Sequence, residues 1–352
     1  MRVVLTLRTR DHIDLVDANL AFHLSAGVDT VIATDHRSED GTRAALEHYE
    51  RAGSLVLLRK DEERFTPGTW VNEMARTAAT ELGADWVVHA DADEFWWPRG
   101  GDLADVLSAV PARFGVVRGI WRHFAPRPDD GAHFAERMIV RLRAGPWQSV
   151  DHTFHPNVKI AHRGDPATTL RPGNHDAYAA GPVLSSWLPL EVMHFPLRTL
   201  AQARAKFTAW RQVLERGVDI ASHVERGVES VRSGTFQAFY DRYVVDDDVL
   251  EEGLRRGTLS IDTRLRDALR KLGDDGDGDG STVPPSGRLH ALRRGAGGLE
   301  FPSLGVAQEA LLADDAMSLA DPIDRAQKRV AVLEQRLAAL ERPSIRRVLS
   351  RR

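Results

Sequence analysis

Over roughly its first 120 residues the chain alternates short apolar runs with stretches of helical period, and this alternation limits the fold more than any other feature. Val3–Leu7, Val28–Thr34, Ser54–Leu58, Trp86–Ala90 and Phe114–Ile120 are short and evenly apolar, which suits strands buried on both faces. Between the first two, Ile13, Val16, Leu20 and Leu24 recur at helical spacing, and Gly27 is a natural stop. A second helix is predicted from about Thr42 to Arg51. A third should begin near Trp70, after the Phe65–Gly68 loop, with Val71, Met74, Ala75, Ala78 and Leu82 inward. Leu103, Val106, Leu107 and Val110 mark a fourth, ended by Pro111. This order predicts an α/β fold, a mainly parallel doubly wound sheet with flanking helices. Right-handed crossovers then bring the ends of strands one, two and four to one edge. That edge carries Arg8, Arg10 and Asp11, then Asp35 to Asp40, then Asp91 to Glu94.

The run DWVVHADADEFWW, from Asp85 to Trp97, puts three acids where strand four leaves the sheet. Ligands of open α/β sheets bind at that carboxyl edge. Asp91 and Asp93 project to the same side of an extended backbone, and they repel unless a cation lies between them. Mg²⁺ and Mn²⁺ prefer carboxylate oxygens. An acidic turn that only terminates a strand is the competing reading, and Asp-x-Asp alone does not decide between them. Phe95, Trp96 and Trp97 favour a site, as a wall for a sugar or a base.

Composition removes several classes. The formal charge of −4 gives no basic excess, so no nucleic-acid partner is expected. With no cysteine there is neither a disulfide nor a thiolate metal site. No Gly-x-Gly-x-x-Gly follows strand one and no Gly-Lys-Ser/Thr loop occurs, which argues against a dinucleotide dehydrogenase or a P-loop NTPase. The absence of cysteine favours a cytoplasmic location; the N-terminal apolar run is too short for a signal peptide, and no stretch approaches about 18 apolar residues, so no span is expected.

From Trp121 to Leu200 the pattern blurs into segments dense in Pro, His, Arg and Trp, which read as functional surface loops. Ala201 to Arg255 reads helical. Gly273–Gly280 opens a flexible acidic Gly/Pro linker that lacks the closing Glu of a calcium loop. Ile323, Ala326, Val330, Leu333, Leu337 and Leu340 form a heptad seam, followed by Arg342, Arg346, Arg347, Arg351 and Arg352. The seam fits either a helix docked on its own domain or a short coiled coil making a homo-oligomer. Its basic end leaves open a peripheral contact with the inner membrane face or an acidic protein. The expected division is 1–200 catalytic, 201–271 helical extension, 272–299 linker and 300–352 helical tail.

Three motifs together resemble family 2-like glycosyltransferases over roughly residues 1–125. Asp35 through Thr42 resembles the second-strand loop, where an acid, a Ser and an Asp-Gly-Thr follow the strand. Ala75-Arg76-Thr77 resembles the Ala-Arg-Asn before the acidic motif. Asp91-Ala92-Asp93-Glu94-Phe95 resembles the Asp-x-Asp signature with Glu-Phe after it. The resemblance implies a GT-A fold, with residues 1–125 as the nucleotide-sugar half and 126–200 as the acceptor and metal half. It implies a nucleotide-sugar donor, a glycan or other hydroxyl acceptor, Mn²⁺ or Mg²⁺, inversion at the sugar carbon, and polysaccharide or glycoconjugate assembly. By carry-over Asp35 meets the nucleoside, Asp40 supports its loop, Arg76 approaches the diphosphate, Asp93 ligates the metal, and Asp91 meets the donor ribose or a metal-bound water; Arg10 and Asp91 are placed at the nucleotide-sugar edge, and Asp91 also beside the metal. Two departures stand out: Arg8-Thr9-Arg10-Asp11-His12 replaces the usual Asn-Glu or Asp-Glu after strand one, and Thr77 replaces Asn.

A third metal ligand is sought in later histidines, first His194 and then His175. The general base is sought among Glu136, Asp151, Asp176 and Glu191. If Leu190–Phe195 is a strand, Glu191 and His194 face opposite ways and do not both line the site; Asp151 or Asp176 is preferred as the base. A nucleotidyltransferase is the alternative enzyme, but Leu7–Ile13 lacks the glycine such enzymes carry there. A degenerate domain serving as a scaffold through its heptad tail is the non-catalytic alternative, against which the intact Asp91 and Asp93 argue.

Overall fold

A computed structural model describes residues 1–61, 66–143, 153–184, 189–215, 222–273, 282–283, 289, 299–303 and 305. The first half runs β1 (Val3–Thr9), α1 (Val16–Ser25), β2 (Thr30–Asp35), α2 (Thr42–Arg51), β3 (Leu55–Arg59), α3 (Pro67–Thr80), β4 (Trp86–Asp91), β5 (Glu94–Pro98), α4 (Leu103–Ser108) and β6 (Val116–Ala125). Then come α5 (Phe134–Arg137), β7 (Val140–Leu142), β8 (Val158–Arg163), β9 (Thr169–Leu170), β10 (Ala177–Tyr178), β11 (Val183–Leu184) and β12 (Leu190–His194). Helices α6 (Leu200–Glu215), α7 (Ser222–Arg232), α8 (Phe236–Asp241) and α9 (Asp247–Arg256), strand β13 (Leu259–Ile261) and α10 (Arg264–Lys271) follow among the described residues.

The chain has the expected α/β architecture, helices flanking a doubly wound sheet. Strands β3, β2, β1 and β4 lie side by side and parallel, with β1 central and its apolar residues buried. Past β4 the sheet becomes mixed. β8 runs antiparallel to both β4 and β6, and β12 lies parallel to β6 and antiparallel to β5. The reading of Trp121 to Leu200 as surface loops is therefore corrected. β6 continues through Trp121, Arg122 and His123 to Ala125, and β8 and β12 are buried strands. Polar residues hid them, because their side chains are paired with one another inside the protein and break no alternation that an apolar count could see.

Two helices start elsewhere than expected. α1 opens at Val16, and Ile13 lies before it, 46% exposed, its N–H donated to Asp40 Oδ2 (2.9 Å) instead of entering a helix. α3 opens at Pro67, ahead of Trp70, since proline at the first helical position has no N–H to lose.

The expected aromatic wall is also overturned. Phe95, Trp96 and Trp97 are 0%, 0% and 4% exposed. A turn of only Ala92 and Asp93 separates β4 from β5, which pairs with β12 from Glu94 opposite His194 to Pro98 opposite Leu190. The rings are thus drawn into the core, Phe95 against Phe22 and Phe195, and Trp97 against Phe22 and Phe301. Each such burial stabilises by about 2 kcal/mol, so these rings serve the fold and not a ligand. A second core, including Phe207, Phe236, Phe239 and Tyr243, lies under α6 and α8. Among the described residues no helix is long and apolar enough to cross a membrane. Asp151, the heptad seam and residues 274–281 lie outside the described residues.

Candidate metal centre

The acidic turn between β4 and β5 is held from within the protein. Asn19 of α1, fully buried, donates through Nδ2 to the carbonyls of Ala92 (3.1 Å) and Glu94 (2.8 Å). One turn later His23 Nε2 accepts the Trp96 N–H (3.1 Å), while its Nδ1 donates to the Asn19 carbonyl (2.9 Å). Burial pushes His23 down to about 4, so the ring is neutral, as an accepting Nε2 requires. Glu94 Oε2 accepts the Asp91 N–H (2.9 Å) and closes the turn.

On this scaffold Asp93, Glu94 and His194 come together, with one ligand atom from each lying within 4.8 Å of the others. The register explains the meeting. His194 is opposite Glu94 on β5 and opposite His123 on β6. Two carboxylates and an imidazole suit a divalent cation of the Mn²⁺ type. The hydrogen bonds also fix the imidazole tautomer. His123 Nε2 lies 2.9 Å from the His155 carbonyl, which can only accept, so that nitrogen carries the proton. In a neutral His123, Nδ1 then accepts, and its partner 3.0 Å away, His194 Nδ1, donates. His194 Nε2 is left with its lone pair, 3.8 Å from Asp93 Oδ2. This is the form a metal ligand needs, with the other ring nitrogen oriented by a hydrogen bond. Burial holds His194 well below the usual imidazole range, and Trp121 stacks on it at 4.2 Å.

Three bases surround the acids. Arg8 Nη2 reaches Asp91 Oδ1 (2.7 Å), and Lys159 Nζ reaches Asp91 Oδ2 (2.7 Å) and the Gly173 carbonyl (2.9 Å). Lys206 Nζ, from α6, reaches Asp93 Oδ2 (3.0 Å). Burial opposes ionisation of Asp91 and Asp93. Even so, Arg8 and Lys159 hold Asp91, and Lys206 holds Asp93, below the usual carboxylate range. Burial, against the pull of Lys159, pushes Glu94 up to about 8. Asp91, with both oxygens committed to Arg8 and Lys159, is outside the three-residue group.

The other residues singled out from the sequence are placed as follows. Asp35, fully buried at the end of β2, takes Arg43 Nε on Oδ2 (2.6 Å), while its Oδ1 has no hydrogen-bond partner. Asp40 accepts from the Thr42 N–H (2.9 Å) and hydroxyl (2.6 Å) and from the Ile13 N–H, tying the loops after β1 and β2 together. Arg10 is exposed beside Asp11 (3.5 Å). Arg76 is exposed on α3, and among the described residues no contact ties it to the acids. His175 donates from Nδ1 to the Val158 carbonyl (2.6 Å) and its ring meets the edge of Trp121 at 5.2 Å; it is not in the three-residue group. Asp176 pairs with Arg118 (3.3 Å) and lies 4.0 Å from Arg171. Glu136 is bound by Arg270 and by the Val283 N–H. Glu191 faces away from His194, as strand alternation requires, and is held by Arg99, Arg122 and Arg264.

Sequence reasoning missed Asn19, His23, His123, Lys159 and Lys206. A lysine inside the short strand VKIAHR and an Asn and a His on an apolar helix are signals that could have been read, since buried polar groups need partners. Nothing in the sequence around Lys206 distinguishes it from other surface lysines.

No family model and no curated relative matches the chain. It is similar in structure to a mannosyltransferase from Pyrobaculum calidifontis in complex with GDP-Man and Mn²⁺, with 17% identity, covering 67% of this chain and 72% of that one, at a TM-score of 0.32. It is also similar to S. aureus TarS in complex with UDP, with 11% identity, covering 59% of this chain and 65% of that one, at 0.35. A third similar structure is glucosyl-3-phosphoglycerate synthase from Mycobacterium tuberculosis with Mn²⁺, UDP and glucosyl-3-phosphoglycerate, with 16% identity, covering 34% of this chain and 44% of that one, at 0.25. The match thus spans less than two thirds of the TarS chain and less than half of the synthase.

Proposed function

We propose that the chain is a divalent-cation-dependent glycosyltransferase that moves a sugar from a nucleotide-sugar donor to a hydroxyl acceptor, with inversion, in polysaccharide or glycoconjugate synthesis. The observation that carries this reading is the hydrogen-bond relay from the His155 carbonyl through His123 to His194, which aims an imidazole lone pair at Asp93 beside Glu94. In this reading Asp93, Glu94 and His194 hold Mn²⁺ or Mg²⁺, and Glu94 replaces Asp91 as the second carboxylate ligand. When bound, the cation would neutralise charge on the leaving diphosphate. Asp91, kept ionised by Arg8 and Lys159, fixes those two bases at the edge where phosphates would sit. The unpartnered Oδ1 of Asp35 suits an N–H of the nucleoside base. The loops joined by Asp40 shape the floor of that nucleoside site.

The test is a panel of nucleotide sugars incubated with the protein and Mn²⁺, with and without a chelator. Metal-dependent release of a nucleoside diphosphate from one donor supports the reading. If no donor is bound or hydrolysed, and Asp93→Ala alters nothing measurable, the domain is a scaffold.

A further inference from the structure

Among the described bases that contact the acids, Lys206 is the one on a peripheral helix. Its side chain is 30% exposed, against 1% for Lys159 and 22% for Arg8. Its ammonium is held by Asp93 Oδ2 (3.0 Å) and the Pro196 carbonyl (3.3 Å). That carboxylate oxygen is also the one 3.8 Å from His194 Nε2. The ammonium of Lys206 therefore sits on the Asp93 oxygen that faces His194, where a cation shared by those two residues would also bind.

We propose that Lys206 is an exchangeable counter-ion. It neutralises Asp93 while no divalent cation is bound, and is displaced when one arrives, turning toward the anionic oxygens of the leaving diphosphate. This rests on the cation site assigned above. Asp93 is 5% exposed, and a buried carboxylate with no partner is costly, so the site needs a stand-in charge when empty of metal. A lysine suits the task. It is a compact charge on a flexible four-carbon stem, and its partial exposure lets it leave without opening the core. Lys159 cannot exchange in this way, because it is buried and bound to Asp91 and the Gly173 carbonyl.

The experiment titrates Mn²⁺ alone into wild-type protein, Lys206→Met, Lys206→Gln and Lys206→Arg, reading free Mn²⁺ by electron paramagnetic resonance. Inorganic pyrophosphate is then titrated at saturating Mn²⁺. Lys206→Met and Lys206→Gln should bind Mn²⁺ about fivefold more tightly than wild type, and Lys206→Arg should stay close to wild type. Pyrophosphate should bind the two neutral variants about tenfold more weakly, with Lys206→Arg retaining most of its affinity. Unchanged or weaker Mn²⁺ binding in both neutral variants overturns the exchange, and unchanged pyrophosphate binding overturns the second role. A folded wild-type protein that takes up no Mn²⁺ overturns the cation site itself, and this inference with it.

Discussion

The two faces of β12 carry buried charge in opposite ways. On one face Glu191, 2% exposed, is enclosed by Arg99, Arg122 (2.9 Å) and Arg264 (3.0 Å), with Arg141 and Asp262 beyond. Burial opposes its ionisation, and these guanidiniums still hold it far below the usual carboxylate range. On the other face His194 keeps a lone pair, and Asp93 is balanced by Lys206, whose side chain is 30% exposed. Both faces are desolvated, so burial alone does not separate structure from site. A charge enclosed by several guanidiniums is structural, whereas a charge balanced by a single ammonium can exchange it for a ligand.

The largest effects should divide along that line. Asp93→Asn should abolish detectable Mn²⁺ binding and lower turnover by about a thousandfold, while thermal unfolding shows the fold intact. Glu191→Gln should do the reverse, costing about 3–5 kcal/mol of stability because it strands buried guanidiniums, with Mn²⁺ affinity of the folded fraction unchanged. If Glu191→Gln weakened Mn²⁺ as much as Asp93→Asn does, the distinction between the faces would be lost.

Acid titration of stability should show the next effect. His23 and His162 are both pushed down to about 4 by burial, whereas their unfolded counterparts titrate near 6.5. Between those values the unfolded chain binds protons that the folded chain refuses, so stability falls as pH drops from 6.5 toward 4, by about 3 kcal/mol for each ring. Glu94 has the opposite sign. Its folded value of about 8 lies above the ordinary 4.5, so its contribution is full below 4.5 and lost as pH rises through 8. Urea unfolding at stepped pH should find both limbs, and Mn²⁺ should suppress the second by displacing that proton.

A smaller effect sharpens the geometry. His123→Phe keeps a ring against Trp121 but removes the acceptor that orients His194 Nδ1. Mn²⁺ affinity should fall about tenfold to a hundredfold with the melting temperature nearly unchanged. Wild-type affinity in this variant would remove the relay from the account.

Elements set by local signals could be read from the sequence. The four parallel strands and α2 declare themselves by period and by turn residues, and the parallel crossovers place Asp35, Asp91 and Asp93 at one edge. What escaped depends on pairing between distant segments. Nothing within Phe95–Trp97 says that β5 will pair with β12 almost a hundred residues later, yet that pairing buries the aromatics and sets His194 beside Glu94. Asn19 and His23 look like interruptions of an apolar helix until the groups they serve, the Ala92 and Glu94 carbonyls for Asn19 and the Trp96 N–H for His23, fold back onto them. Asp91 was legible as an acid at the right edge, but its capture by Lys159 was not, because that lysine arrives on β8 from the far half of the chain.

The most direct measurement is anomalous diffraction from crystals soaked with Mn²⁺ and a nucleoside diphosphate. One peak should lie about 2.1 Å from oxygens of Asp93 and Glu94 and from His194 Nε2, with Lys206 withdrawn from Asp93 and Asp91 still on Arg8 and Lys159. A peak elsewhere, or none with Lys206 unmoved on Asp93, would contradict this cation site.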